Sequence, residues 1–443
     1  MRTLIAQLSA HTGSEVTIGA WVDTARDQGK MAFFDLRDRS GFIQGVVFGK
    51  PEVLEVAKTL RPEWVVKVTG IVNERPEKMR KEGVQNGDIE LEITGIEVLS
   101  KAQELPFDLN AEINIDTNLD YRPFTHKRKR ERAIFTVQSE IIRGYRDGLY
   151  AQDFTEIQSP KIVGDDAEGG GNVFRIEYLK NQDAYLATSP QLYKQIMVGA
   201  FERVFTTGNV FRAELHATTR HLNEYTSLDA EFGFIESHED VMAVLERTMQ
   251  TIVKRLEETC TEEFTTLGAD LPQAPDTFPR MKFRDAQQLI TKETGEDCTE
   301  EPDLEPAHER WLCDYAKREL GSDFIFITHY PSKKRPFYTY LDPQDPEHTY
   351  SFDLLFRGVE ITTGGRRVHE YDEYLKRLEA KGLNPENFAF YLQAFKYGMP
   401  PHGGWGMGLE RLTQKFLGLE NVKEATLFPR DINRIDTRLS KPE

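Results

Sequence analysis

Cysteine is nearly absent: there are three in 443 residues, at Cys260, Cys298 and Cys313, with no Cys-x-x-Cys spacing. This excludes a disulfide framework and a zinc site, and it predicts a chain kept in the reducing cytoplasm. Long apolar runs are missing too. No stretch approaches the ~18 apolar residues of a membrane helix, and the opening MRTLIAQLSAHTG has no apolar leader core, so no membrane partner is expected. Positive charge is in deficit, with 56 Lys and Arg against 73 Asp and Glu and a net charge of −17. Any nucleic-acid partner must then be held by local groups rather than by a general basic field. The one dense basic patch, Lys127–Arg130 with Arg132, reads as a solvated helix start. No internal repeat or low-complexity tract occurs.

What is present divides along the chain. The length exceeds one ordinary core, so at least two domains are expected. Residues 16–22, 31–37, 42–48, 63–72 and 88–99 read as strands, the last with a clean alternation of Ile89, Leu91 and Ile93. A short helical piece over 51–60 separates the third from the fourth. Five strands with a helix at that place predict an OB-type barrel over residues 1–102, a fold often used on nucleic acids. Residues 103–127 lack a clear period and read as a linker. From 128 the pattern turns helical, with Ile134, Val137, Ile141, Ile142 and Tyr145 on one face. Further helices are expected over 238–257 and 369–380, within an α+β domain spanning 128–443.

Polar residues break the apolar pattern in four places. SPQLYKQIM (189–197) reads as a helix capped by Ser189 with Pro190 at its first position, interrupted by Lys194. VFRAEL and TSLDAEFGF (210–215 and 226–234) read as a hairpin, with Arg212 and Glu214 on one strand face and Asp229 and Glu231 on the other strand. Its loop carries Arg220 and His221. SFDLLFRGVEITT (351–363) reads as a second hairpin turning at Arg357-Gly358. That register pairs Leu355 with Glu360 and Asp353 with Thr362, leaving two carboxylates within reach of a hard cation such as Mg²⁺. GGWGMGLER (403–411) has glycines that allow close approach of backbone to a ligand, followed by Arg411 near a helix start, which suits phosphates. It is not a Walker loop.

Together, GLYAQDFTEIQSP (148–160), FRAE with its loop and returning strand, and GMGLER resemble the three ordered motifs of class II aminoacyl-tRNA synthetases. The resemblance spans nearly the whole chain and implies an antiparallel catalytic sheet flanked by helices, with a family insertion at about 257–350. EGGGNVF (168–174), SPQLYKQ, RPFY (335–338) and LFPRD (427–431) are similar to aspartyl enzymes of the archaeal and eukaryotic type. This implies ATP-dependent attachment of L-aspartate to tRNA-Asp through an aspartyl-adenylate, by a homodimer with Pro160 at its interface. Lys194 and FPRD speak against an asparaginyl enzyme, and the N-terminal barrel against an asparagine synthetase. The retained ATP ligands speak against a non-catalytic paralogue.

The resemblance also implies roles. Lys194 and Arg367 would face the aspartate β-carboxylate, with Thr363 beside them. Ser189, Gln191 and Asp229 would hold the α-amino group, with Glu168 on a closing loop. Arg212 would meet the α-phosphate and the reacting carboxylate. Glu214 and Tyr225 would read and stack on adenine. Arg220, His221 and Arg411 would hold the β,γ-phosphates, on a backbone through Gly408, Leu409 and Glu410. Asp353 and Glu360 would bind Mg²⁺. In the barrel, Arg26, Phe33 and Gln44 would read the anticodon, Phe33 by stacking. Some members of the family charge tRNA-Asp alone and others also tRNA-Asn. Both types remain open here, with Trp21 favouring the stricter.

Overall fold

In the computed structural model, which describes residues 2–164, 172–216 and 218–439, the chain divides into two units, Met1–Ala111 and Glu112–Glu443. The first is shaped by alternation. Strands β1 (Glu15–Asp27), β2 (Met31–Asp38) and β3 (Gly41–Phe48), helix α1 (Pro51–Thr59), and strands β4 (Val65–Glu74) and β5 (Ile89–Ser100) follow in order. The strands close into a barrel in the order β1-β2-β3-β5-β4, the expected OB-fold. Every second residue enters the core: Ile18, Ala20 and Val22 from β1, Ala32, Phe34 and Leu36 from β2, Leu91 and Ile93 from β5. Phe33 therefore turns outward and stays half-buried. Trp21 packs under the Arg37 guanidinium, 5.4 Å from its ring centre, and Arg37 is in turn paired with Asp23 and Glu63.

The second unit begins inside the stretch read as a linker. Helices α2 (Ile115–Asp120) and α3 (Arg122–Thr125) are too short to show a period. Asn114 caps the first, and Arg122 of the second is buried against the carbonyls of Thr426 and Leu427 at 2.7 and 3.0 Å. Next come α4 (Lys129–Tyr150), β6 (Thr155–Glu156), β7 (Ile162–Val163), β8 (Arg175–Tyr178), β9 (Gln182–Leu186), α5 (Gln191–Phe201), β10 (Arg203–Phe211), β11 (Glu224–Gly233) and α6 (His238–Thr259). They are followed by α7 (Thr261–Leu267), β12 (Arg280–Lys282), α8 (Phe283–Thr294), α9 (Pro306–Leu320), β13 (Phe324–Thr328), β14 (Ser351–Phe356), β15 (Val359–Arg366), α10 (Tyr371–Ala380), α11 (Ala389–Lys396), β16 (His402–Gly408) and α12 (Leu409–Phe416). An eight-stranded sheet runs β12-β13-β14-β15-β16-β11-β10-β6, antiparallel except for its two outermost pairs. A small sheet β7-β9-β8 stands apart from it.

Alternation decides which face of the large sheet is buried. Phe352, Leu354, Ile361, Leu228, Ala230 and Trp405 pack with α4 and α6 residues such as Val137, Ile141, Leu245 and Met249. Their neighbours Asp353, Asp229, Glu231 and Gly406 face the other way and form a polar floor. At the start of α4, the basic patch is paired: Arg128 with Glu131, Lys129 with Glu262 at 3.2 Å, and Arg130 with Glu424 at 2.7 Å.

Four local expectations change. Pro190 stands at the N-cap rather than inside α5, while Ser189 Oγ accepts the Gln191 N–H at 3.1 Å. Strand β10 ends at Phe211, so Arg212 and Glu214 lie beyond it; the Glu214 N–H instead donates to the Arg212 carbonyl at 2.8 Å. The Arg357-Gly358 turn holds, both residues having positive φ, but one extra residue, Ile361, bulges from β15. Leu355 pairs with Glu360 as expected, yet Asp353 pairs with Thr363 rather than Thr362. The glycines serve two purposes: a Cβ on Gly404 would sit 2.0 Å from the Ala230 carbonyl, so there the close approach is between strands.

Candidate active site

The polar face of the sheet floors a cavity of about 450 Å³. Ser189 and Gln191 enter it from the start of α5, Asp229 and Tyr225 from β11, Glu360, Thr363 and Arg367 from the β15 end, and Gly408, Glu410 and Arg411 from the β16–α12 junction. Arg212, Glu214, Arg220 and His221 reach it from the segment between β10 and β11. These residues span most of the second unit, and packing brings them to one place. Glu168 falls outside the described residues.

At one end, Arg212 lies over Tyr225, its guanidinium carbon 5.7 Å from the ring centre. A planar cation stacked on an aromatic face is held in one orientation beside the cavity it lines. Arg411 donates to the Glu360 carbonyl at 3.1 Å. Glu410 accepts the Thr226 N–H with both oxygens at 3.0 Å, bracing α12 against β11, and burial pushes its carboxyl up to about 7. The Leu409 side chain is buried in the core, which leaves only its backbone for the expected contact with the nucleotide.

At the other end the charges are buried. Lys194 is fully buried and does not line the cavity: it lies beneath the floor. Its ammonium donates to Asp229 Oδ1 at 2.9 Å and to the Trp405 carbonyl at 2.6 Å, and forms an ion pair with Glu231 Oε2 at 3.4 Å. Arg367 does line the cavity. Its Nε donates to Glu231 Oε1 and its Nη2 to the Gly404 carbonyl, both at 2.9 Å, leaving further N–H groups for a ligand. Burial alone would raise the Glu231 carboxyl, but Arg367 and then Lys194 outweigh it and hold it below the usual range. The two cations are thus already balanced by two carboxylates.

A second group of carboxylates stands by Arg335. Thr363 donates to Glu360 Oε1 at 2.6 Å. Asp353 lies 2.8 Å from Arg335, and burial pushes it up to about 6 against that cation. Glu309, from α9, approaches the Glu360 N–H at 3.4 Å; burial and then Glu360 push it up to about 7. Two carboxyls raised first by burial and further by the Glu360 charge, with Asp353 Oδ1 buried and without a hydrogen-bond partner, fit a hard divalent cation shared with phosphate oxygens. Among the described residues, no group of three or more His, Cys, Asp or Glu could hold a metal alone.

Arg335, Glu309, Gln195 and His402 were not singled out from the sequence. Two of them carried a signal: Arg335 as the first residue of RPFY and Gln195 as the last of SPQLYKQ. The barrel brings its three expected residues to the outer face of β1, β2 and β3. Arg26 pairs with Phe33 across β1 and β2 and with Asp35 at 3.0 Å, and Gln44 accepts from Arg75 at 2.8 Å.

Residues 114–432 match the family described as tRNA synthetases class II (D, K and N), and residues 16–99 match the OB-fold nucleic acid binding domain. The chain is 46% identical over 439 residues to the aspartate–tRNA(Asp/Asn) ligase of Thermus thermophilus, covering 98% of this chain and 100% of that relative. It is 39% identical over 439 residues to the aspartate–tRNA(Asp) ligase of Thermoplasma acidophilum, covering 98% and 99%. Among solved structures, asparaginyl-tRNA synthetase from Pyrococcus horikoshii complexed with asparaginyl-adenylate superposes with a TM-score of 0.90 at 30% identity, covering 98% and 99%.

Proposed function

The chain belongs to the class II tRNA synthetases of the aspartate, lysine and asparagine group, and from that premise we propose that it attaches L-aspartate to tRNA-Asp with ATP. The carrying observation is Arg367, a buried cation on the cavity wall beside Ser189, Gln191 and Asp229. Its remaining N–H groups suit a side-chain carboxylate, which asparagine lacks. Lys194 adds positive potential from beneath and keeps Asp229 and Glu231 in place.

In the first step the aspartate α-carboxylate attacks the α-phosphorus of ATP in line, and pyrophosphate leaves. In the second, the terminal ribose hydroxyl of the tRNA attacks the acyl carbonyl, and AMP leaves. The protein supplies position and charge rather than a nucleophile. Ser189, Gln191 and Asp229 orient the α-ammonium. Arg212 follows the negative charge from carboxylate to phosphate. Tyr225 and Glu214 hold the adenine, and Arg220, His221 and Arg411 the outer phosphates. Glu360 with Asp353 would hold Mg²⁺, which when bound neutralises phosphate charge. The exposed Pro160 next to edge strand β6 belongs to a homodimer interface.

On the barrel, Phe33 stacks on an anticodon base, with Arg26 and Gln44 beside it. Phe33→Ala is expected to raise the KM for tRNA by roughly 10-fold while pyrophosphate exchange stays unchanged. Phe34→Ala, one residue along but in the barrel core, is expected to cost about 3–5 kcal/mol of stability in urea unfolding. Equal tRNA defects in two equally stable variants would reject this assignment.

A second reading, that tRNA-Asn is also aspartylated, is favoured by the name of the Thermus thermophilus relative. Aminoacylation with labelled aspartate and asparagine, each against tRNA-Asp and tRNA-Asn transcripts, tests both. Aspartate on tRNA-Asp alone supports the first reading, and aspartate on both supports the second. Asparagine on tRNA-Asn, or no transfer at all, overturns the proposal.

A further inference from the structure

Below the cavity floor lies a hydrogen-bonded ring of Gln195 (α5), Tyr374 (α10) and Tyr391 (α11), joined at Gln195 by His402 (β16), all buried and none lining the cavity. Its proton positions follow from its two ends. His402 Nδ1 lies 2.9 Å from the Pro400 carbonyl oxygen. A carbonyl only accepts, so Nδ1 carries the hydrogen, and Nε2 of the neutral ring is an acceptor. Burial pushes His402 down to about 4, with Glu231 opposing and Arg367 and His369 adding to the shift, so the ring is neutral near pH 7. Gln195 Nε2, 2.9 Å from His402 Nε2, is therefore the donor. Its other N–H goes to Tyr374 Oη at 3.2 Å. The Tyr374 hydroxyl then donates to Tyr391 Oη at 2.8 Å, and the Tyr391 hydroxyl donates to Gln195 Oε1 at 3.0 Å. The circuit closes with each hydrogen used once.

The other end gives the same polarity independently. Ionised Glu231 only accepts, so the Gln191 amide atom 3.5 Å from Glu231 Oε2 is its nitrogen. That nitrogen also donates to Gln195 Oε1 at 3.0 Å. Both amide hydrogens of Gln191 thus point into the floor, and its carbonyl oxygen is the end offered to the cavity.

We propose that Gln195, Tyr374, Tyr391 and His402 are positioning residues that fix the direction of the Gln191 amide, so that the site presents an acceptor to the α-ammonium of its amino-acid substrate. The inference rests on the reading that Gln191 meets that group. A flipped amide would turn N–H donors towards a cation, and without Gln195 only the longer contact to Glu231 Oε2, at 3.5 Å, still opposes the flip. The four residues therefore select for an amino acid over a dicarboxylate of the same length that lacks the amine.

The test compares binding of L-aspartate and of succinate, by calorimetry, to the full chain and to Tyr391→Phe, Gln195→Met and Gln191→Ala. Both ligands are measured on each variant, so loss of folded protein cancels in the ratio. The expected result is a fall of roughly 10-fold or more in the aspartate-to-succinate affinity ratio in Gln195→Met, which removes the acceptor of the Gln191 nitrogen, and a smaller fall in Tyr391→Phe, where His402 still directs Gln195, with succinate and ATP affinities unchanged. Equal weakening of both ligands, or an unchanged ratio, overturns the proposal, since a merely structural ring would act on the two alike. If Gln191→Ala itself leaves the ratio unchanged, the reading of Gln191 fails, and the inference fails for that separate reason.

Discussion

Arg212→Ala is expected to slow aspartyl-adenylate formation by roughly 10²–10³-fold, the range seen when one preorganised donor to a developing charge is removed. Aspartate affinity should hardly change. Arg212 sits beyond the last residue of β10, with its guanidinium against the Tyr225 ring. It is therefore held by an aromatic face as well as by its backbone N–H, which donates to the Asn223 carbonyl at 2.9 Å. Attack on the α-phosphorus moves negative charge from the carboxylate onto the phosphate, and this cation can follow it without a large rearrangement of its surroundings. Arg212→Lys should recover only part of the rate, because a point charge replaces a planar fork. Pyrophosphate exchange checks both variants. A rate for Arg212→Ala close to that of the unaltered enzyme would show that the charge is met elsewhere.

The second large effect is expected at Lys194. Lys194→Met leaves Asp229 and Glu231, exposed by 1% and 0%, with Arg367 as their remaining buried cation. Breaking a buried ion pair in this one-sided way costs about 3–5 kcal/mol, to be read as a lower urea midpoint for the second unit. Aspartate should also lose its advantage over asparagine by roughly 10²-fold, since a site built to pair an anion loses half of its cationic charge. Adding Glu231→Gln to Lys194→Met separates the two effects. The double variant removes the surplus carboxylate and should regain stability, while selection for aspartate stays poor. Recovery of both together would mean that Lys194 is purely a scaffold residue.

Much of this molecule was legible in the sequence because periodicity is a local property. The strands of the barrel and the helix between its third and fourth were readable from alternation. The outward turn of Phe33 was not read in this way: the resemblance placed that residue at the anticodon, and the burial of Ala32 and Phe34 explains its turn. Alternation also made Asp229 and Glu231 visible as a polar face on an otherwise apolar strand. Arg357-Gly358 announced its turn by composition alone. The two short helices at 115–125 were not legible, since neither is long enough to display a period.

The sequence by itself therefore determined which side chains stand on the polar faces, and with them the inventory of the cavity. Tertiary structure alone decided what each of those side chains touches. The Ile361 bulge moved Thr363, rather than Thr362, opposite Asp353. The Lys194 ammonium found the Trp405 carbonyl 211 positions away, and Gln195 found His402 207 positions away. Glu309 of helix α9 came to Glu360 of strand β15. No spacing rule reaches across such distances. Which buried donor meets which buried acceptor is set by how distant elements pack, because a charge or amide removed from water must find its partner wherever the folded chain places one.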